Sequence, residues 1–103
     1  MKPFLYRLTP PRPSFPQDVT PGEAAIMQAH GGYLRGLAAQ GEAIAFGPVL
    51  DPKGAWGVGI FQVASAERMH EIARNDPAIL SGSGFAYEIL PMAALVTGAA
   101  SPV

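Results

Sequence analysis

Apolar and polar positions change period several times along the 103-residue chain, and each change predicts an element. Pro3 to Thr9 alternate and are rich in aromatic and branched types, which predicts a first strand. Pro10, Pro11, Pro13 and Pro16 then stop regular structure and predict a stiff surface loop. Thr20 and Glu23 have capping-box spacing, and Pro21 sits at the first helical position, where its missing N–H costs nothing. This helix is expected to run to about Gln40, with Gly41 as a left-handed terminator. Ala43 to Gly47 reads as strand two, Pro48 to Gly54 as a turn or loop, and Ala55 to Val63 as strand three. Alternation on that strand puts Trp56, Val58 and Ile60 on one face. Gly57, Gly59, Phe61 and Val63 take the other, so both faces are largely apolar. Ser65 caps a second helix, Ala66 to Arg74, and Asp76-Pro77 opens a short helical turn. Ser81-Gly82-Ser83-Gly84 reads as a flexible loop, and Phe85 to Leu90 as strand four, with Pro91 limiting its pairing. Residues 1–97 are expected to form one domain, and 98–103 a flexible tail.

The resulting order, βαββαβ, predicts an α+β, ferredoxin-like fold: one antiparallel sheet with two helices on one face. The opposite face then needs a cover of its own. Composition sharpens this point. Apolar residues make up 49% of the chain, more than a small two-layer domain usually hides. Symmetric self-association is the commonest remedy, so a homodimer is expected.

Seven Lys and Arg residues against eight Asp and Glu leave a net charge of −1, and the basic residues are scattered. No basic stripe exists for phosphates, so nucleic acid is not an expected partner. The absence of cysteine excludes disulfides, thiolate metal sites and thiol nucleophiles. Pro3, Arg7 and Pro10 interrupt any secretory apolar run, and no stretch is long enough to span a membrane. A cytoplasmic protein with no membrane partner is the expectation.

One polar residue breaks the pattern. On the first helix Ile26, His30, Tyr33 and Leu37 fall on one stripe, with Met27 and Leu34 at its margin. His30 therefore occupies a position where leucine is the default. It is either a buried histidine satisfied for structural reasons or an acid/base group at the floor of a pocket, and periodicity alone leaves both open. Asp76 is accounted for by capping, although a carboxylate accepts several hydrogen bonds and can serve a second partner. Five further residues are candidates for a ligand site, each with a plainer reading. Tyr33 is core packing or a hydroxyl at a pocket edge. Gly57 and Gly59 lie on one strand face, where a ligand or another backbone can approach closely. Ser81 and Ser83 are a plain turn or a source of hydroxyls. His70 falls off the Ala66-Met69-Ala73 stripe, at a solvated margin. Two distant histidines without a carboxylate cluster give no metal signature. The Ser-Gly repeat lacks the ending of a phosphate loop, and no nucleophile elbow is present.

Several of these features recur together in the order His30-Gly-Gly-Tyr33-Leu34-Arg-Gly-Leu37, Gly41, Gly47-Pro48-Val49-Leu50-Asp51, Trp56-Gly57-Val58-Gly59, Asp76-Pro77 and Phe85-Ala-Tyr87-Glu88-Ile89-Leu90-Pro91. From about Ala25 to Pro91 the chain resembles the YCII (YciI-like) family. The resemblance implies a dimeric α+β barrel in which two sheets face each other. It also implies a catalytic dyad of His30 and Asp76, and the family includes a dehydrochlorinase of a hydroxylated aromatic ring. Some relatives carry an Arg one turn before the histidine; here Ile26 and Met27 stand there.

The function expected is general acid/base chemistry without a cofactor: elimination, isomerisation or hydrolysis of a small cyclic or aromatic metabolite. A non-catalytic ligand-binding or accessory protein on the same fold is the alternative. A cofactor-free monooxygenase or muconolactone-isomerase-like enzyme is a third reading, which the paired His and Asp-Pro signals disfavour.

Overall fold

A computed structural model describes residues 1–98 of the chain. Its elements are β1 (Lys2–Thr9), α1 (Pro21–Ala39), β2 (Ala43–Val49), β3 (Trp56–Val63), α2 (Ala66–Arg74), α3 (Pro77–Leu80) and β4 (Ala86–Pro91). The four strands form one antiparallel sheet in the order β2-β3-β1-β4. This is the expected α+β, ferredoxin-like arrangement. Of the tail expected over 98–103, residues 99–103 lie outside the described residues.

Both ends of α1 are fixed by local chemistry. The Thr20 hydroxyl accepts from the Glu23 N–H at 3.1 Å, and Glu23 accepts from the Thr20 N–H at 3.0 Å, so two of the first-turn donors are satisfied reciprocally. At the other end Gly41 has φ +83°. The Glu42 N–H then reaches the Leu37 carbonyl and the Gly41 N–H reaches the Ala38 carbonyl, each at 3.0 Å. These two bonds are a Schellman motif, which only the left-handed conformation at Gly41 allows.

The core lies between the helices and one face of the sheet. Register places Phe4, Tyr6 and Leu8 of β1 opposite Phe61, Gly59 and Gly57 of β3, all on that inner face. Leu34 and Leu37 from α1, and Met69, Ile72 and Ala73 from α2, pack onto it. The buried stripe of α2 therefore includes Ile72 and not Ala66, which is exposed, as is His70.

Two prolines expected to limit or end strands lie inside them. Pro48 belongs to β2 and Pro91 to β4, and these are the two edge strands. An edge strand has one side without a partner, so a missing N–H there breaks no ladder bond. The Met92 N–H continues the β4 pairing by donating to the Pro3 carbonyl at 3.1 Å.

The proline-rich loop also departs from expectation. It turns inward at Phe15, which is buried and packs edge-to-face on Phe85 with ring centroids 5.7 Å apart. Arg12 clamps the loop to the start of α1 by donating to both oxygens of Glu23 at 2.7 Å. The outer sheet face carries Leu5, Val58 and Ile60, half-buried, beside the exposed Leu90. No described helix is long and apolar enough to cross a membrane.

Candidate active site

The site begins with a helix start. Asp76 is the N-cap of α3 and accepts from the Ala78 N–H at 2.9 Å through Oδ1. Capping uses only part of a carboxylate's acceptor capacity. The Tyr6 hydroxyl, from the middle of β1, donates to Oδ2 at 2.8 Å. Nδ1 of His30 lies 2.9 Å from Oδ1 and 2.8 Å from Oδ2. Three elements far apart in sequence thus converge on one carboxylate. Asp76 is wholly buried, and its side chain is 1% exposed against 16% for that of His30.

Electrostatics assigns the protons. Burial first, then the charge of Asp76, pushes the Tyr6 phenol far above its ordinary range, so Tyr6 stays protonated and donates. An ionised Asp76 can only accept. With the other donors being a backbone amide and a phenol, the Nδ1 contact requires the Nδ1–H tautomer of the imidazole. Nε2 is then left with the free lone pair in the neutral ring. Among the described residues Nε2 has no protein partner.

His30 lines a cavity of about 480 Å³ between α1, the inner sheet face and the proline-rich loop. That volume suits a small-molecule ligand. Its walls are mostly apolar, with Phe15, Met27, Leu34, Phe46 and Trp56 among them. Tyr6 lines it as well, so the hydroxyl that holds Asp76 and the ring that borders the cavity belong to one residue.

The candidate residues divide plainly. His30 and Asp76 are in contact, and Gly57 lines the cavity. Tyr33, Gly59, Ser81 and Ser83 are not among its lining residues. Tyr33 donates to the Ile72 carbonyl at 2.8 Å, satisfying a carbonyl in the last turn of α2. Its phenol is pushed up by burial and then by the charge of Asp76. Gly59 is roofed by Phe61: a Cβ there would stand 2.8 Å from the ring. Ser81 caps the end of α3 by donating to the Ala78 carbonyl at 2.7 Å and accepts from the Ser83 N–H. Among the described residues no group of three or more His, Cys, Asp or Glu side chains is placed to hold a metal ion.

Sequence reasoning did not find Tyr6, Phe15 or Arg35 at this cavity. Tyr6 carried a usable signal, because its alternation with Phe4 and Leu8 puts it on the core face of β1. Phe15 carried a weaker one, as the lone aromatic among the prolines of the first loop.

A model of the YCII-related domain matches residues 8–93 of the chain. Among solved structures the chain is similar to 5-chloro-2-hydroxyhydroquinone dehydrochlorinase from Burkholderia phenoliruptrix AC1100 in complex with 2,5-dihydroxybenzoquinone. Identity is 25%, the match covers 86% of this chain and 90% of that one, and the TM-score is 0.61. No curated protein sequence matches the chain.

Proposed function

The chain belongs to the YCII-related domain family, and from that premise we propose that it is a small-molecule enzyme in which His30 and Asp76 act as a general acid/base dyad. The contact between His30 Nδ1 and the Asp76 carboxylate, 2.8 Å long at the wall of an apolar cavity, carries this reading. The similar dehydrochlorinase supports the substrate class, a small cyclic or aromatic molecule.

In the proposed step the Nε2 lone pair takes a proton from the bound substrate. The electron pair left behind forms a new double bond, and the leaving group departs with its own pair. The imidazolium formed is stabilised by Asp76, which also holds Nδ1–H and so keeps Nε2 aimed at the substrate. The acid returns its proton to water or to the product. The step is redox-neutral and needs no cofactor. Isomerisation follows the same scheme with the proton returned to another carbon. Because the cavity is walled by aromatic and aliphatic side chains, charge developing beside His30 is poorly screened by water, which strengthens the pull of Asp76.

A second chain is part of this reading. Leu5, Val58, Ile60 and Leu90 form an apolar patch on the outer sheet face, beside Arg7 and Glu88, and a homodimer would bury it. Sedimentation at micromolar concentration is expected to give twice the mass of one chain; a single-chain mass overturns this.

The catalytic reading is tested with chlorinated hydroxyhydroquinones, following chloride release and quinone absorbance. His30→Ala is expected to lose at least about 100-fold in turnover while keeping its fold, the size typical of a lost general base. Full turnover in that variant overturns the dyad. Saturable binding of these compounds with no product favours the non-catalytic ligand-binding alternative on the same fold.

A further inference from the structure

One polar group at the cavity has no part in the acid/base pair: the guanidinium of Arg35. Arg35 lines the cavity from α1, one turn after Gly31, which lines it too. Helical side chains lean toward the N-terminus, and this one folds back over the preceding turn. Its Nη1 would stand 3.1 Å from a Cβ at residue 31. Only a glycine leaves the guanidinium room to lie there without adjustment, directly beside the His30 position.

Three of the other arginines are occupied, and the fourth, Arg74 in the last turn of α2, does not line the cavity. Arg12 pairs with Asp18 and Glu23, Arg68 with Glu42 and Glu71, and Arg7 stacks over Trp56 at 4.2 Å. Among the described residues Arg35 has no ion pair and no hydrogen-bond partner. No carboxylate lines the cavity. The Tyr6 hydroxyl is spent on Asp76, and the Trp56 indole N–H donates to Asp51 at 3.1 Å. The side-chain polar groups left for a ligand are therefore the imidazole Nε2 and a guanidinium.

A guanidinium is always charged and presents parallel N–H donors that match a carboxylate or an oxyanion. We propose that Arg35 binds an anionic oxygen of the substrate, so that the cavity selects a small planar ring bearing a carboxylate or phenolate. Apolar walls hold the ring, Arg35 holds the charge, and the ring is thereby set in register with His30. The proposal rests on the reading that this cavity is the substrate site, but it concerns recognition and not turnover.

Benzoate and its uncharged isostere benzamide separate the two. NMR titration of the wild-type protein is expected to give benzoate about tenfold higher affinity than benzamide, the scale of one charge-assisted bidentate contact. Arg35→Gln is expected to weaken benzoate about tenfold and leave benzamide unchanged. His30→Ala is expected to keep the preference for benzoate. A wild-type protein without that preference, including one that binds neither probe, overturns the proposal. So does an Arg35→Gln variant that retains it, or a preference lost only in His30→Ala. Full turnover in His30→Ala combined with a preference lost in Arg35→Gln overturns the dyad and leaves anion recognition standing.

Discussion

At one end of the layer between the helices and the sheet, Phe61 and Val63 of β3 fill the space completely and are fully buried. At the other end the same strand face carries Gly57, and a cavity remains. The strand, the pleat and the covering helix α1 are shared, so the difference comes from side-chain volume at alternate positions. Gly59 stands at the border. Its missing Cβ lets the Phe61 ring lean across it, and Phe61 then packs edge-to-face on Tyr6 with centroids 5.9 Å apart. Tyr6 in turn holds Asp76, and Asp76 holds His30. The packed end thus backs the open end: Phe61 packs against the ring of Tyr6, whose hydroxyl donates to Asp76, the proposed partner of His30. Precise placement of a reacting group depends on such backing as much as on the group itself.

The comparison breaks first at Phe61. Phe61→Ala is expected to destabilise the fold by about 3–5 kcal/mol, since a buried aromatic lost from a packed core leaves a cavity. Urea unfolding measures it, and a loss under about 1 kcal/mol means the packed end is not packed. The two glycines give the sharper contrast. Gly59→Ala puts a Cβ 2.8 Å from the Phe61 ring and is expected to cost about 1–3 kcal/mol. Gly57→Ala meets only Leu8, at 3.5 Å, and is expected to stay within about 0.5 kcal/mol. Equal thermal shifts for the two variants dissolve the distinction between the ends.

Tyr6→Phe keeps the ring and removes the hydroxyl. Loss of one hydrogen bond to a buried carboxylate is expected to cost about 1.5 kcal/mol in a chemical melt. No change in that melt removes Tyr6 from the support chain.

The smallest effect belongs to the loop that closes the open end. Arg12 first, then the Thr20 amide, draws the Glu23 carboxyl down from 4.5 to about 2. A depressed carboxylate stabilises the fold fully above its unfolded value and loses that contribution as pH falls through the folded one. Wild type is therefore expected to exceed Glu23→Gln in stability above about pH 4.5, the gap closing as the pH falls through about 2. The pair is only half-buried, so salt also narrows the gap. A gap independent of pH between those limits overturns the assignment.

Much of the architecture was legible. The Thr20 capping box, Gly41, Ser65 and Asp76-Pro77 each act within five residues, so local sequence contains both partners of every capping bond. His30 was conspicuous for a related reason: helical periodicity defines a stripe, and one polar residue violates it. Pro48 and Pro91 misled, because a proline's effect on a strand depends on whether that strand is at an edge, which is a property of the sheet. Tyr33, Gly59 and Ser81 carried the right chemistry for a ligand site, but a hydrogen bond to Ile72, the Phe61 ring and a hydrogen bond to Ala78 engage them elsewhere, and Ser83 does not line the cavity.

The sequence by itself determined which segments become helix or strand, where each helix begins and ends, and that one histidine faces the sheet. Those outcomes depend on residue spacing and on caps, which are short-range. Only the tertiary structure decided that Tyr6, His30 and Asp76 meet, that the first loop turns Phe15 inward, and that Arg35 lies over Gly31. The first contact joins residues 46 and 70 positions apart, and no local rule sets a distance of that kind. It follows from strand register and from the way α1 and α3 settle on the sheet, where burying the apolar faces fixes the polar groups that travel with them.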